Sequence, residues 1–484
     1  MRRFKSIRPT LERLEDRLTP SDNPSMVPPV LNSLPGAPAT LYLDFNGHTD
    51  ASWSNFSNVD TPPYDTDNNV NVWSPTEIQE ITDIWRYVAD DYAPFNINVT
   101  TVLPPSFAKR VAQRVSIGGS GSWYSNNPPF GVAESINSFN SGTGNTPTCY
   151  VFESVHPYDA TFRKNMAFTV SHEGGHCFGL AHHIDYTQSG NPLNGGLPDG
   201  TSPLMGTNDT PPRNMWWHGT TTSASTIQDD LNVISGSANG FGFRTDDHGG
   251  TTATATALAP LGTGLVSISR SGVIAQMTDV DMFSIKASPG PLSMTADVPE
   301  PYNNLDVRLE LRNSAGVVLT SAAPATFDAA VTFNITAAGT YFLVVSSTGM
   351  SSAATPNNFG HNVGGYTLTG TYTVDAAAQG PSESPLRLLA PVRWVYHRKS
   401  KTYRGQVALV SSVDITQAFS IFVKIPHSSV KWVSPFGARI GKFVKIDVDQ
   451  DVSADAPLRF SVTVKNPRRK NLGTFFYGLK VIGQ

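Results

Sequence analysis

The chain is short of cysteine, short of charge, and without any long apolar run. Two cysteines in 484 residues, Cys149 and Cys177, exclude a scaffold stapled by many disulfides. They read either as one bridge, if the compartment oxidises, or as two buried thiols. Charged residues make up 15%, against about 25% in an average soluble protein, and Gly, Pro, Ser, Thr and Asn fill the difference. That balance favours β-rich exported proteins over helical cytosolic ones. No stretch approaches the roughly 18 apolar residues that a membrane-spanning helix needs. The start, "MRRFKSIRPTLERLEDRLTPS", is basic but lacks the apolar centre of a secretory signal peptide. The length implies two to four domains.

What charge there is lies unevenly. Residues 381–484 carry 17 Lys and Arg against 6 Asp and Glu, and residues 1–21 carry 6 against 3, so a net charge of −4 leaves an acidic body between basic ends. The basic tail, with Arg398, Lys399, Lys401, Arg468, Arg469 and Lys470, reads in two ways. It holds the protein on an anionic cell-surface or matrix polymer, or it is a solvated face without a partner. No recognised nucleic-acid motif accompanies the charge, and nucleic acid is not an expected partner.

Within residues 1–21, "LERLEDRLTPS" resembles a leader-like export tag of some large bacterial exported proteins. Residues 22–38 are proline-rich and read as a linker. "TLYLDF" is a first expected strand. "SPTEIQEITDIWRYVADDY" is a helix opened by a Ser74–Glu77 capping box with Pro75 at its first position. Ile78, Ile81, Trp85, Val88 and Tyr92 share its apolar face. Strands are expected at "FNINVTTV", "RVSIGG" and "TCYVFES". A helix then spans "FRKNMAFTVSHEGGHCFG", with Met166, Val170 and Cys177 inward, and a last one "STIQDDLNVISG", with Ile227, Leu231 and Ile234 inward. This is an α/β domain over 39–245. From residue 246 the period becomes two, as in "PLSMTADV" and "DVRLELRNSAG", which predicts a β-sandwich over 246–375. A linker at 376–385 leads to a second, basic β-sandwich at 386–484, where "VRWVYHRKSKTYRGQVAL" reads as a hairpin.

"SHEGGHCFGLAHH" gathers four of the chain's 11 histidines. His172 and His176 stand four apart, so on a helix both rings leave one face and suit a single zinc ion. Gly179 allows positive φ, and the sharp turn returns His182 as a third nitrogen ligand. Three neutral nitrogens leave a fourth position open, as a catalytic site needs. At this chain's own frequencies of His, Glu and Gly, the full pattern arises by chance on the order of once in a hundred thousand.

Complete in "HEGGHCFGLAH", the pattern H-E-x-x-H-x-x-G-x-x-H resembles that of the metzincin zinc endopeptidases. "LYLDFNGHT", "VADDYAPFNINVTT" and "IQDDL" are similar to segments of bacterial reprolysin-like and matrixin-like members, so the resemblance covers about residues 39–245. It implies a mixed sheet with an active-site helix, zinc on His172, His176 and His182, and a methionine turn at Met205 within "SPLMG". It also implies Glu173 as general base towards a zinc-activated water in peptide hydrolysis. His183 stands where adamalysin-type members have Asp, and competes with His182 as a ligand. Thr207 stands where astacins and serralysins have Tyr, so no tyrosine switch is expected. Trp216 and Trp217 either line the specificity pocket or close the core.

"DDHGGTTATATAL", "DVDMFSI" and "AGTYFLVV" resemble the bacterial pre-peptidase C-terminal domain, a β-sandwich of secreted peptidases that in some cases binds calcium. That makes Asp279, Asp281 and Asp306 candidate calcium ligands. Asp44, in "DFNGHTD", is another, and "DTDNNVN" offers similar oxygen spacing without the closing glutamate of an EF-hand loop. In each case a solvated polar turn is the competing reading. The expected fold class is therefore multidomain, a metzincin-like α/β domain followed by two β-sandwiches. The expected function is an exported, extracellular or cell-surface zinc endopeptidase acting on proteins or peptides. A non-cutting adhesion protein and a hydrolase of non-peptide amides are the alternatives.

Overall fold

The computed structural model describes residues 26–141, 147–184, 200–207, 213–222, 226–258, 264–299, 304–324, 326–350 and 358–374, and beyond residue 385 the strands alone. The leader-like segment 1–21, the linker at 376–385 and the basic clusters at 398–401 and 468–470 lie outside the described residues. The chain is mostly β-sheet, in several sheets with few helices. It divides into two compact units, Met1–Phe243 with Thr355–Asn358, and Arg244–Ala354 with Phe359–Gln484.

The first unit opens with β1 (Ala39–Asp44), a hairpin of β2 (His48–Trp53) and β3 (Phe56–Thr61), and α1 (Pro75–Asp91). Then come β4 (Ile97–Thr100), β5 (Ala112–Ile117), β6 (Gly131–Ala133), β7 (Thr148–Val151) and α2 (Phe162–Cys177). Four short strands follow, β8 (Thr201–Pro203), β9 (Arg213–Met215), β10 (Trp217–Thr220) and β11 (Ile227–Asp229), before α3 (Asp230–Ile234). The main sheet runs β4-β1-β5-β7-β6, with the first four strands parallel and β6 antiparallel at one end. Strands covered on both faces read as continuous apolar runs, and β1 and β7 are buried along nearly their whole length. Helix α2 packs on β5, β6 and β7 and also on α1.

The capping box of α1 is present. Ser74 N donates to Glu77 Oε2 at 2.7 Å, and Glu77 N to Ser74 Oγ at 3.3 Å. Its core face is Ile81, Ile84 and Val88, while Trp85 is half-buried and donates Nε1 to Val99 O at 2.9 Å. Residues of the proline-rich stretch are tied down rather than free. Ser33 N donates to Val99 O and Thr101 N to Leu31 O, along the outer edge of β4.

The last expected helix is shorter than its sequence pattern. Ile227 lies in β11 and is 49% exposed, whereas Leu231 and Ile234 are buried in α3. Asp229 accepts from Asn232 N and caps the helix there, so it cannot begin earlier. Trp216 and Trp217 are fully buried, and Trp216 packs edge-on against Tyr92 and Phe95, which makes both core residues.

The second unit holds β12 (Thr256–Ala257), β13 (Gly264–Ile274), β14 (Val280–Asp297), β15 (Val307–Asn313), β16 (Val318–Ala322), β17 (Ala329–Ile335), β18 (Gly339–Ser347), β19 (Phe359–Gly360) and β20 (Gly364–Val374). Strand β14 organises it. Its first half pairs with β18, and its second half lies between β17 and β20. Phe283, Ile285 and Ala287 face the core in the first half, and Leu292, Met294 and Ala296 in the second. The core-facing positions change from odd to even because the register shifts between Ala287 and Leu292. Val307, Leu309 and Leu311 complete the same cluster, as the alternating sequence predicts.

Beyond residue 385, Trp394–His397 pairs antiparallel with Thr402–Ser411 as the expected hairpin, in a five-stranded sheet. Phe419–Lys424 lies between Phe443–Val448 and Lys480–Gly483 in a four-stranded one.

Gly370 pairs with Met294 at φ +151°, and a Cβ there would stand 2.2 Å from Ser293 O. Backbone cannot give way as a side-chain tip can. Gly370→Ala is expected to destabilise the second unit by at least about 2 kcal/mol, read as a lowered urea midpoint.

Candidate metal centre

Helix α2 is buried on nearly every side, and its sequence shows how it can be. The two central residues of H-E-x-x-H are glycines because each side is closely approached. A Cβ on Gly174 would meet the Tyr92 hydroxyl oxygen at 2.6 Å, and one on Gly175 would meet Met205 Sδ at 2.7 Å. Tyr92 Oη donates to Ser171 O at 3.0 Å, fixing α1 to α2.

The helix ends in a Schellman motif. Gly179, at φ +109°, donates its N–H to His176 O, and Leu180 donates to Gly175 O. The cap also orients a ring, because His176 Nδ1 donates to Leu180 O at 2.8 Å. His172 Nδ1 donates likewise to Leu204 O at 2.7 Å. With Nδ1 protonated on both rings, both Nε2 lone pairs are left free. They converge on His182 Nε2, at 2.9 Å from His172 and 3.0 Å from His176. His182 Nε2 carries at most one proton, so hydrogen bonding accounts for at most one of these contacts. Facing lone pairs repel unless a cation lies between them, and the three nitrogens form a set that can hold one metal ion. Burial, with repulsion from neighbouring histidines (His183 in the case of His182), pushes all three pKa values down, that of His176 to about 4, which keeps the imidazoles neutral.

His182 is delivered by a braced segment. Gln228 accepts from Ala181 N at 2.9 Å and donates to Ala181 O at 3.0 Å, clamping the backbone of the residue before His182 at both ends. His183 is no ligand. Its Nε2 meets buried Asp230 Oδ1 at 2.9 Å, and Asp230 also accepts from Trp217 N and Gln228 Nε2. His183 N donates to Met205 O, which ties the segment to the turn under α2. Gln228 and Asp230 brace the segment that carries His182, and neither stands out in the sequence alone. Their signal lay in "IQDDL", but nothing local links it to Ala181 across 47 positions.

Glu173 is buried beside the three histidines, and burial raises its pKa well above the usual carboxyl range. Among the described residues no Arg or Lys neutralises it. Strand β6 passes directly over it, since a Cβ on Gly131 would lie 2.7 Å from Glu173 Cγ and 2.9 Å from Oε1. Cys149 and Cys177 are both buried free thiols, not a bridge.

The expected calcium ligands divide. Asp44 is paired with Arg114 Nε at 3.2 Å and accepts from Asn46 N, so its charge is answered by a guanidinium, and it joins no cluster of potential metal ligands among the described residues. Asp65 and Asp67 meet Glu77, which supplies the glutamate missing from "DTDNNVN". The Glu77 oxygens, however, are taken by Ser74 N and Thr66 N. Asp279 and Asp281 do come together, but with Asp246; Asp306 stands outside the group.

No protein-family model matches the chain, and no curated protein does. Three of the similar solved structures are distant likenesses. The Aeromonas hydrophila PliG, a periplasmic inhibitor of g-type lysozyme, is 11% identical with TM-score 0.18, over 24% of this chain and 94% of that one. A putative secreted protein of Eubacterium rectale is 9% identical with TM-score 0.16, over 49% and 78%. Tripeptidyl peptidase 2 is 8% identical with TM-score 0.14, over 44% and 22%. At such scores these likenesses carry no argument about fold or function. Among the described residues, no helix is long and apolar enough to cross a membrane.

His156 gives the first unit an acid sensitivity that can be measured. Its buried ring stacks on Phe130 at 4.4 Å, neither nitrogen has a partner, and burial pushes its pKa down to about 4. Between about pH 6.5 and pH 4 the unfolded chain binds the proton that the fold refuses. Stability is therefore intact above pH 6.5 and falls as pH drops, by about 3 kcal/mol for this group once pH is below 4. In urea titrations at pH 7 and pH 5, His156→Phe is expected to remove that part of the slope.

Proposed function

We propose that residues 39–245 form a metzincin-like zinc endopeptidase domain of an exported protein, and that proteins or peptides are its substrates. One observation carries the reading. Two ring nitrogens aimed by backbone carbonyls meet a third on one point, beside a buried carboxylate that no Arg or Lys of the described residues answers. The mostly parallel sheet with α2 packed on it supports the α/β part of the proposal.

His172, His176 and His182 would hold the zinc, a metal that nitrogen donors suit. When bound, zinc supplies Lewis acidity to a carbonyl and to water, and a positive charge that offsets the burial of Glu173. Glu173 takes a proton from the attacking water and returns it to the leaving amine. Gly131 keeps the space over that carboxylate open, and the walls of β6 and α2 exclude bulk solvent from it. Asp230, His183 and Gln228 hold the segment that carries His182.

The test is metal analysis of the purified protein together with cleavage of denatured protein substrates, with and without a zinc chelator. Glu173→Gln is expected to keep zinc and lower kcat/KM by about 10³-fold. Zinc retention with no cleavage by the unaltered protein would favour the adhesion reading instead. Gly131→Ala is expected to keep zinc and lower kcat by about 10²-fold, because the new methyl displaces Glu173.

A further inference from the structure

The first unit is not one continuous stretch of chain. Asn358 follows β12–β18 in sequence, yet it is grouped with Met1–Phe243. Its Oδ1 accepts from Trp217 Nε1 at 2.7 Å, across 141 positions. Both residues are buried, Trp217 completely and Asn358 to 5% exposure. An indole N–H shut away from water needs an acceptor, and a buried donor left without one costs stability. Asn358 supplies that acceptor. Strand β10 is shaped to receive it. Trp217 and Gly219 stand two apart and so share one face of the strand. A Cβ on Gly219 would lie 2.9 Å from Asn358 Oδ1 and 2.8 Å from Trp217 Cδ1, so glycine keeps the space that the amide occupies.

From Trp217 an unbroken series of hydrogen bonds leads to the segment that carries His182. The backbone N–H of Trp217 donates to Asp230 Oδ2 at 2.9 Å. Asp230 Oδ1 meets His183 Nε2 at 2.9 Å and accepts from Gln228 Nε2 at 2.8 Å. Gln228 in turn holds the N–H and the carbonyl of Ala181. Asp230 is 0% exposed, so water cannot stand in for a partner that moves away. The place of Trp217 therefore fixes Asp230, and Asp230 fixes the residues on either side of His182.

We propose that Asn358 is a positioning residue for His182: by accepting from Trp217 it sets, through Asp230 and Gln228, where that imidazole stands. The proposal rests on the reading of His172, His176 and His182 as one metal-binding set, and it adds that residues 39–245 do not complete the set by themselves. Partners behind a metal ligand orient it and tune how tightly the ion is held. A chain made only as far as residue 245 has the whole H-E-x-x-H-x-x-G-x-x-H motif but leaves the Trp217 N–H unanswered. The third imidazole takes its final place only after synthesis has run through residue 358.

The test uses the full-length protein and two measurements. Backbone hydrogen exchange is followed in the metal-free state, and zinc affinity is then measured by competition with a chromophoric chelator. Asn358→Leu keeps the bulk of the side chain and removes the acceptor. It is expected to speed exchange of the Ala181, His183 and Trp217 amides by about tenfold while leaving β1 unchanged. Zinc affinity should fall by about tenfold in the same variant. Gly219→Ala, which drives a methyl onto the same amide oxygen, should reproduce both effects. A merely structural Asn358 would instead speed exchange throughout the first unit, β1 and α1 included, and that result overturns the proposal. Unchanged exchange at Ala181 and His183 overturns it as well, and so does unchanged affinity in a chain that binds zinc. If the unaltered chain takes up no zinc, the zinc reading falls, and exchange in the metal-free protein still decides whether Asn358 positions His182. Should Asn358→Leu fail to fold, Gly219→Ala decides.

Discussion

The hydrogen bonds from His172 Nδ1 to Leu204 O and from His176 Nδ1 to Leu180 O, at 2.7 and 2.8 Å, decide which ring nitrogens face the centre. Each bond spends the N–H of its ring on backbone, and what remains to face His182 is a lone pair. The two acceptors come from different places, one from the turn before Met205 and one from the cap of α2 itself. The turn, the cap and the helix must therefore all be folded before three nitrogens can meet. Tyr92, Met205 and Gln228 are the props of that arrangement, and each touches it at a position where a larger residue or a lost amide would push it apart.

Much of this was legible in the sequence because it is local. The Ser74–Glu77 box, the span of α2 to within two residues, the positive φ at Gly179 and the alternation of Leu292, Met294 and Ala296 all follow from spacing within a few positions. The failures are of the opposite kind. Asp44 sits in a sequence with the spacing of cation ligands, but Arg114, seventy positions on, reaches it through the parallel pairing of β1 and β5 and answers its charge. Asp246 joins Asp279 across 33 positions, and no periodicity encodes that meeting, whereas the nearer Asp306 is carried away by the strand it precedes. Ile227 read as helical because the residues after it are, but its strand pairing with β10 prevailed.

The β2–β3 hairpin is illegible in the sequence for a different reason. Only Asp50, Trp53, Val59 and Thr61 of its residues face inward, so it shows no apolar alternation. What holds it is a ring of aromatics, with Trp53 edge-on to Trp123 and Tyr150, and the Tyr150 hydroxyl donating to Asp50 at 2.6 Å. Such contacts come from three separate segments and leave no pattern in any one of them.

Leu180 serves two masters at the end of α2. Its N–H closes the helix cap on Gly175, and its carbonyl steadies the ring of His176. Unwinding of the final turn therefore swings a ligand away in the same motion. An ion held there would be loosened whenever that turn frays, so fraying would shorten its residence below the limit that the coordination bonds alone would set.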